Sequence, residues 1–259
     1  MQRMPGREGL RALVTGGTSR LGEAVVARLV RDRAAVAFTG LDARRGSEVA
    51  ARSGGVFVAP NGTDEEEVRR AVTASSDTLG GLDALVCCPD EALGAPLSET
   101  SLEHWQRGLD ANLTAPYLYS SACLPLLRAA GGGSIVHVAS DVGIWGNARI
   151  GAYAVSSAAL ITLAQMLAVE AGPSGITVNA VCPGTTGRTV AAGAGGPDGE
   201  GGSDPEGRLI PPIGRPITTE EIAGVVAFLI GPEARSVSGA ALLVDGGMRA
   251  GYRAWTGVT

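Results

Sequence analysis

The sequence contains no lysine: all 21 of its basic residues are arginine. Any reaction that needs a lysine ammonium group is therefore excluded. Aromatic residues make up 4% of the chain and charged residues 18%, while 45% are hydrophobic, so the chain is too apolar for a disordered protein. Its 259 residues correspond to one large domain, which we take to span residues 1–259.

Long apolar runs are also missing. The longest, residues 222–231, is about half of the ~20 residues that a membrane-spanning helix needs. No apolar segment precedes the first strand, as a secretory signal would, so we expect a cytoplasmic protein without a membrane partner. The net charge of -5 argues against a nucleic-acid partner. The cysteines lack zinc-site spacing, so we expect no metal site and four reduced, packed thiols, at Cys87, Cys88, Cys123 and Cys182.

Short apolar runs alternate with segments of helical spacing, the pattern of βαβ units that wind a parallel sheet. Because the crossovers of such units are right-handed, we predict an α/β fold: a doubly wound, Rossmann-type sheet of seven parallel strands with helices on both faces. The predicted strands are residues 12–14, 35–38, 56–58, 84–86, 134–138, 177–181 and 241–244.

The segment around residues 186–210 interrupts this pattern. Residues 191–208 contain seven glycines and no large apolar side chain, so they cannot bury enough surface to offset the entropy of ordering. We expect a mobile loop over the carboxyl edge of the sheet, where doubly wound folds bind ligands. It is either a lid over the substrate or a permissive surface insertion.

The first predicted strand leads into the glycine-rich turn TGGTSRLG, residues 15–22, and then into a helix that we expect to begin near Glu23. Glycines at a strand-to-helix turn let the backbone approach a pyrophosphate, whose charge the helix N-terminus favours. The turn predicts a dinucleotide site.

The second predicted strand indicates which nucleotide binds. An acid that binds the adenosine ribose of NAD is expected at the end of that strand, where this chain has Gly40 and Leu41. Arg20, Arg44 and Arg45 are close enough in sequence to meet a 2'-phosphate. We therefore favour NADP(H) over NAD(H), with solvated arginines as the plainer alternative.

The spacing of one serine and one tyrosine suits two hydroxyl groups that act on the same substrate oxygen. Ser140 follows the fifth predicted strand, and Tyr153 opens the next predicted helix. A serine hydroxyl in this place donates a hydrogen bond to a substrate oxygen while the tyrosine exchanges a proton.

With these motifs, the chain resembles the classical short-chain dehydrogenase/reductase family over nearly its whole length. Further matching pieces are Asn112 in DANLT, the NAVCPG stretch that ends at Gly184, GRP at residues 214–216 and VDGG at residues 244–247. In that family a nicotinamide cofactor lies across the sheet edge, and the active site acts on a carbonyl or an alcohol. The resemblance also implies a homo-oligomer, dimer or tetramer, acting on a small molecule.

The resemblance assigns roles to individual residues. Ser140 would polarise the substrate oxygen, Tyr153 would be the acid or base, and Asn112 would hold a water of the proton relay. Val142 and Trp145 would line the substrate pocket. The cofactor would contact Gly16, Ser19, Arg20, Leu21, Gly22, Leu41, Asn61, Gly62, Cys88, Pro89, Pro183, Gly184, Thr185 and Thr186.

Three departures separate this chain from the family pattern. The family's YxxxK is here YAVSS, so Ser157 replaces the lysine; its NNAG is CCPD at residues 87–90; and Arg20 replaces a glycine of the turn. The last change is similar to the turn of pteridine reductases, which still bind NADPH. A reactive thiol needs an electropositive neighbour, and Cys88 has none in sequence beyond Arg20, so we interpret it as a packed cysteine.

The missing lysine favours one direction of reaction. A free tyrosine has a pKa of about 10, so stabilising its phenolate at pH 7 takes ~4 kcal/mol. A neighbouring ammonium typically supplies about one to three pKa units of that shift, and Ser157 supplies none. Oxidation of an alcohol needs the phenolate as base, whereas reduction of a ketone uses the neutral phenol as acid.

The leading hypothesis is an NADP(H)-dependent reductase of a ketone or enone on a small or polyketide-like metabolite, acting through Ser140 and Tyr153 with no catalytic lysine. One alternative is a lyase, isomerase or cyclase on the same fold that uses the two hydroxyls without a cofactor. The other is a non-catalytic subunit that assembles with a complete paralogue.

Overall fold

A computed structural model describes residues 9–60, 62–89, 91, 95–146, 150–186 and 211–250 of the chain. The predicted mobile loop at residues 191–208 and the predicted cofactor contact Asn61 lie outside the described residues, as does Asp90. Everything below concerns the described part.

The sheet contains seven strands: β1 Arg11–Thr15, β2 Ala35–Gly40, β3 Val56–Pro60, β4 Ala84–Cys87, β5 Gly133–Val138, β6 Ile176–Pro183 and β7 Ala241–Val244. Every neighbouring pair is parallel. Their spatial order is β3-β2-β1-β4-β5-β6-β7, so the chain winds outward in both directions from the β1–β4 pair. The predicted Rossmann-type fold and all seven predicted strands are confirmed.

Helices cover both faces of this sheet. They are α1 Arg20–Arg31, α2 Ala43–Ser53, α3 Glu65–Leu79, α4 Leu102–Leu109, α5 Ala115–Ala129, α6 Gly151–Ala171 and α7 Thr219–Leu229. Strand side chains alternate between the two faces. In β1, Ala12 and Val14 pack with α1 and α7, whereas Leu13 packs with α3, α5 and α6. Burial on both faces explains why the strands read as continuous apolar runs.

Two helices begin earlier than the sequence predicts. Helix α1 begins at Arg20 rather than near Glu23, because the Ser19 hydroxyl accepts a hydrogen bond from the Gly22 N–H (3.0 Å) and caps it. Helix α6 begins at Gly151, so Tyr153 lies within its first turn rather than at its start. Residues of the candidate cofactor and catalytic sites thus lie in the first turns of these two helices.

Helix α6 with the turn that follows it is long and apolar enough, by length and composition, to cross a membrane. The core helix of a soluble protein meets the same criterion. Here Leu160, Ala164 and Leu167 are buried against the sheet and the neighbouring helices. Packing in the core therefore accounts for the apolar residues on this face of the helix.

All four cysteines are buried and free, as predicted. Burial raises the pKa of Cys87 and of Cys182 to about 12, so both thiols stay protonated at neutral pH. Cys88 is 2% exposed and packs in the core directly after β4. The structure gives these cysteines the character of small apolar side chains.

His137 is a fully buried histidine in the middle of the sheet. The Ser120 hydroxyl donates to the Pro116 carbonyl (2.7 Å), so the ring atom Nε2 of His137, 3.3 Å from Ser120 Oγ, is the donor in that pair. Nδ1 is buried with no hydrogen-bond partner among the described residues. Protonation would place a charge at Nδ1 in a site without an acceptor, and burial lowers the pKa of His137 to about 4.

This histidine should make the fold sensitive to acid. An unfolded histidine takes up a proton below pH 6.5, whereas folded His137 does so only near pH 4, so stability falls as the pH drops through that window. Over the whole window, the free energy of unfolding should fall by about 3 kcal/mol. We expect the free energy of unfolding of wild type to decline from pH 6.5 to pH 4.5, and that of His137→Gln to decline less. Urea titrations across this range measure it.

At pH 7.5, His137 is neutral in both the folded and the unfolded protein. The difference in free energy of unfolding at that pH therefore gives the effect of the substitution on packing alone. Parallel pH curves for the two proteins would contradict the assignment.

Candidate active site

The carboxyl ends of β1, β4, β5 and β6 meet at one edge of the sheet, at Thr15, Cys87, Val138 and Pro183. The turn after β1 and the serine after β5 both lie at this edge. Doubly wound folds bind ligands where the strand order reverses, which in this chain is between β1 and β4.

The turn after β1 is built around two glycines. Gly16 has a left-handed φ of 66°, and a Cβ there would lie 2.1 Å from the carbonyl oxygen of Cys88. A Cβ on Gly22 would lie 2.1 Å from the Gly16 carbonyl oxygen. Only glycine allows this turn to pack onto the end of β4 and onto the start of α1.

Helix α1 points its N-terminus at the same edge. The first helical amides, those of Arg20 and Leu21, have no carbonyl partner within the helix. Ser19 caps the helix through Gly22, and the Arg20 side chain is exposed. The structure brings the predicted contacts Gly16, Ser19, Arg20, Leu21 and Gly22 together in one turn.

The end of β2 has little room for the acid that would select NAD. A Cβ on Gly40 would lie 2.3 Å from the Thr18 side chain. Leu41 is 78% exposed. Two of the arginines considered for a 2'-phosphate have partners already: Arg44 pairs with Glu48, and Arg45 pairs with Glu23 and donates to the Thr18 carbonyl.

The segments after β3 and β4 hold other predicted cofactor contacts. Gly62 follows β3, and a Cβ there would lie 2.6 Å from a carboxylate oxygen of Glu67. Cys88 donates its N–H to the Thr15 carbonyl (3.2 Å), which continues the β1–β4 pairing by one residue. Pro89 is half-buried directly after it and offers no backbone N–H.

Asn112 lies in a five-residue π-helical turn, Asp110–Thr114, between α4 and α5. Its amide nitrogen donates to the Glu91 carbonyl (2.9 Å) and to Ser156 Oγ (3.3 Å), while its oxygen accepts the Glu91 N–H (3.4 Å). Ser156 in turn donates to the Tyr153 carbonyl (3.0 Å). The Asn112 side chain therefore ties the segment after β4 to the first turn of α6; its role in a water relay stays a prediction.

Ser140 follows β5 and is 6% exposed. It caps the short 3-10 turn Asp141–Gly143, which packs on α6. At Gly143 a Cβ would lie 2.7 Å from backbone atoms of Ser157 and Ala158. A glycine at this point lets the serine turn lie directly on the helix that carries the tyrosine.

Tyr153 lies four residues before Ser157 on α6, so the two share one face of the helix. Ser157, which stands where the resembled family has lysine, is 2% exposed. The face that carries both residues adjoins the Ser140 turn through Ser157. The structure thus packs the Ser140 turn on α6 one helical turn from Tyr153, at the carboxyl edge of the sheet, in a chain that has no lysine.

Trp145 and Val142 follow Ser140 on the predicted substrate side. The indole N–H of Trp145 is buried and makes no hydrogen bond of normal geometry within the described part of the chain. The Arg249 guanidinium stacks over its ring, 5.4 Å from the ring centroid. The indole N–H lies near Asp141, and the aromatic ring is a suitable wall for an apolar part of a ligand.

The end of β6 supplies the nicotinamide-side candidates. A Cβ on Gly184 would lie 2.8 Å from Asp245, so the chain after β6 passes close to the turn after β7. The Thr185 carbonyl accepts the Ile217 N–H (3.0 Å), and Thr186 forms an isolated parallel bridge with Ile217. The two threonines are thereby held beside the start of α7.

Sequence reasoning assigned no role to Asp141, a buried acid next to Ser140. It is 5% exposed, and Ser140 Oγ donates to its Oδ1 at 3.3 Å. Burial raises the pKa of Asp141, and the Asp245 carboxylate adds to the rise. The signal was present in sequence as an acid directly after a strand-end serine.

These residues fit a dinucleotide. The glycines hold the Gly16–Gly22 turn tightly against the end of β4, and the free amides at the N-terminus of α1 carry partial positive charge for a pyrophosphate. At the same sheet edge, Gly184 lets the chain after β6 pack on the turn after β7. The fit rests mainly on the turn and the helix N-terminus.

Comparisons with known proteins agree with this geometry. A family model described as Enoyl-(Acyl carrier protein) reductase matches residues 17–249. The chain is 35% identical to cis-4-hydroxycyclohexanecarboxylate dehydrogenase of Sinomonas cyclohexanicum, over 92% of this chain and 96% of the relative. It is 34% identical to 2,5-dichloro-2,5-cyclohexadiene-1,4-diol dehydrogenase of Sphingobium indicum, with the same two coverages. The crystal structure of a short-chain type dehydrogenase/reductase from Mycobacterium marinum superposes with a TM-score of 0.84 at 28% identity, covering 95% of this chain and 97% of that one.

The glycine turn can be tested with a matched pair of substitutions. Gly16 and Gly80 have nearly the same φ, 66° and 69°, but only Gly16 faces an atom that a Cβ would meet. Gly80→Ala should cost about 1–2 kcal/mol of stability, the price of a left-handed alanine. Gly16→Ala should cost about 1–3 kcal/mol more, because it also pushes against Cys88. Equal losses in urea titrations would contradict the close packing of the turn.

Proposed function

The chain belongs to the short-chain dehydrogenase/reductase family, and on that premise we propose that it is an NADP(H)-dependent reductase of a ketone or enone. Membership makes it a nicotinamide-dependent oxidoreductase that acts on a small molecule. The proposal adds the direction of reaction, the preferred nucleotide and the residues that act. Its main support is the packing of the Ser140 turn on α6 at Ser157, which stands in place of the family's lysine one helical turn after Tyr153.

Ser140 and Tyr153 have separate tasks in this proposal. When bound, the reduced nicotinamide supplies the hydride for the carbonyl carbon. The Ser140 hydroxyl donates a hydrogen bond to the carbonyl oxygen, and the Tyr153 phenol gives that oxygen its proton. Asn112 holds the first turn of α6 in place through Ser156.

The absence of lysine from the chain supports reduction as the working direction. A phenol with no ammonium partner is predominantly neutral at pH 7, which is the form needed to protonate a nascent alkoxide. Alcohol oxidation starts from the phenolate and would require ~4 kcal/mol of stabilisation that this site does not supply through a lysine. Ser157, buried one helical turn beyond Tyr153, is the residue responsible.

NADP(H) is proposed over NAD(H) because an acid has no place at the end of β2. The contact between Gly40 and Thr18 excludes a larger side chain there. Arg20, at the exposed start of α1, is the arginine we assign to a 2'-phosphate, since Arg44 and Arg45 pair with glutamates.

For the substrate we propose a cyclic ketone or enone, either small or part of a polyketide-like metabolite. Two relatives are named for ring alcohols, a hydroxycyclohexane carboxylate and a cyclohexadiene diol. Trp145 offers a flat apolar wall for such a ring on the loop that follows Ser140.

A carbonyl panel tests the proposal. NADPH oxidation should be measured with cyclic ketones and enones, with NADH in parallel. We expect turnover with NADPH, and a loss of about 100-fold or more in kcat for Tyr153→Phe, because that variant lacks the proton donor. Tyr117→Phe removes a hydroxyl from a half-exposed tyrosine on α5 and should change nothing.

The absence of any NADPH turnover and of any thermal shift with NADPH would reject the reductase. Turnover of a substrate without nucleotide would favour the cofactor-free enzyme, and activity only beside a paralogue would favour the partner subunit.

Ser157→Lys tests whether the lost ammonium limits the enzyme. The added cation should stabilise the phenolate of Tyr153 by about one to three pKa units, so oxidation of the product alcohol should rise about 10- to 1,000-fold. The rate of ketone reduction should also rise, but by a smaller factor. Thr162→Lys adds the same charge at an exposed position of α6 and serves as the control.

If neither direction gains, the handicap lies instead in residues 87–90 or in Arg20. Initial rates in both directions, at one pH and with saturating nucleotide, distinguish the two explanations.

A further inference from the structure

Asp141 is a buried acid in contact with a residue of the proposed mechanism. It directly follows Ser140 and begins the 3-10 turn that lies on α6. It is 5% exposed, and its Oδ1 accepts the Ser140 hydroxyl at 3.3 Å. Buried acids in contact with an active-site hydroxyl are candidates for a functional role when their environment disfavours the charge.

The Ser140 hydroxyl has one proton to donate. In the structure that proton goes to Asp141, while Ser140 Oγ accepts the Val142 N–H at 3.5 Å. An ionised carboxylate only accepts hydrogen bonds, so it keeps the Ser140 proton turned away from a substrate oxygen. A neutral carboxyl can instead donate to Ser140 Oγ, and the serine proton is then free to turn to the substrate.

The Ser140–Asp141 bond is long enough to be exchanged. Hydroxyl-to-oxygen hydrogen bonds are usually about 2.7–2.8 Å, and bonds to a charged acceptor are shorter still. At 3.3 Å the serine hydroxyl is weakly held, so its direction follows the protonation state of its neighbour.

The surroundings of Asp141 are mostly acidic or neutral. On β6, the Cys182 thiol lies close, and a Cβ on Gly184 would be 3.5 Å from Asp141 Oδ2. After β7, Asp245 is 7% exposed and accepts the N–H groups of Gly247 and Arg249.

Two further elements face the acid. On its own loop, the Trp145 indole N–H lies close enough to favour the charged form, and Arg249 stacks on the outer face of that ring. On α6, the turn meets Ser157 and Ala158, which do not ionise, and Tyr153 lies one helical turn earlier. Burial is the largest influence and, with Asp245, raises the pKa of Asp141, whereas Ser140, Trp145 and the Val142 N–H lower it.

We propose that Asp141 is a positioning residue that sets the direction of the Ser140 hydroxyl: the neutral acid releases the serine proton to the substrate oxygen, and the carboxylate withdraws it. The inference rests on the proposed reductase function. It gives the enzyme a pH-dependent step that does not involve a lysine, and it makes reduction faster on the acid side. Asp141 itself touches neither substrate nor cofactor in this account.

The pH dependence of ketone reduction tests the switch. Wild-type kcat should fall as the pH rises through the pKa of Asp141, on the order of 100-fold between the two plateaus, the effect of losing one donor to the reacting oxygen. In Asp141→Asn the amide N–H₂ mimics the neutral acid, so kcat should no longer fall as the pH rises. At pH values above the wild-type fall, kcat of the variant should exceed that of wild type. An unchanged fall in Asp141→Asn would overturn the proposal.

Two controls separate positioning from a structural role. Ser140→Ala should remove the pH-dependent fall, and adding Asp141→Asn to it should change nothing further, because the acid acts through the serine. Asp245→Asn removes the neighbouring charge that raises the pKa of Asp141, so the fall should move to lower pH with both plateaus kept. A fall that stays in place in Asp245→Asn would contradict the assignment to Asp141.

A readout independent of activity distinguishes failure of the switch from failure of the proposed function. In the free enzyme, infrared difference spectra between wild type and Asp141→Asn should show a protonated carboxyl band that titrates above the ordinary range of aspartate and shifts in Ser140→Ala. The same titration should make Asp141→Asn increasingly more stable than wild type as the pH rises, because the folded acid resists ionisation.

If the carboxyl band titrates and shifts in Ser140→Ala but the protein reduces no carbonyl, the reductase proposal is wrong and the Ser140–Asp141 interaction stands. If the protein reduces carbonyls but shows no such band, the reductase proposal stands and the role of Asp141 is wrong.

Discussion

The close contact between the turn after β5 and helix α6 holds the candidate active site together. Gly143 lies against the backbone of Ser157 and Ala158 at a distance that no side chain would permit. Ser140 is fixed by the strand that precedes this contact, and Tyr153 by the helix that follows it. Any change that widens the contact moves the two hydroxyls apart, and reactions of this type are sensitive to shifts of about 1 Å.

The electrostatic character of the site differs from that of the family it belongs to. The family's lysine is replaced by a buried serine, and the buried acids Asp141 and Asp245 lie at the same edge of the sheet. Without a lysine, no lysine ammonium stabilises a tyrosine phenolate, and burial raises the pKa of Asp141, which favours its neutral, donating form. Both effects suit the proposed reduction, which ends with a proton on the substrate oxygen.

Relatives named as dehydrogenases make this difference informative. The chain matches those enzymes over almost its full length, and Ser140 and Tyr153 have the spacing of the resembled family. What it lacks is the group that stabilises the base form of the tyrosine. In the proposed reductase, removal of this single charge biases the scaffold toward reduction, because each pKa unit of phenolate stabilisation is worth about 1.4 kcal/mol.

The sequence by itself determined the sheet, its seven strands and the glycine turn, because buried parallel strands and tight turns leave strong local patterns. It also placed Ser140 and Tyr153, through their spacing. Only the tertiary structure decided that the Asn112 side chain is occupied by Glu91 and Ser156, and that Asp141 faces both Ser140 and Asp245. These contacts join strands and helices far apart in the chain, and burial, which sets the charge state of an acid, is a property of the packed molecule that no local pattern records.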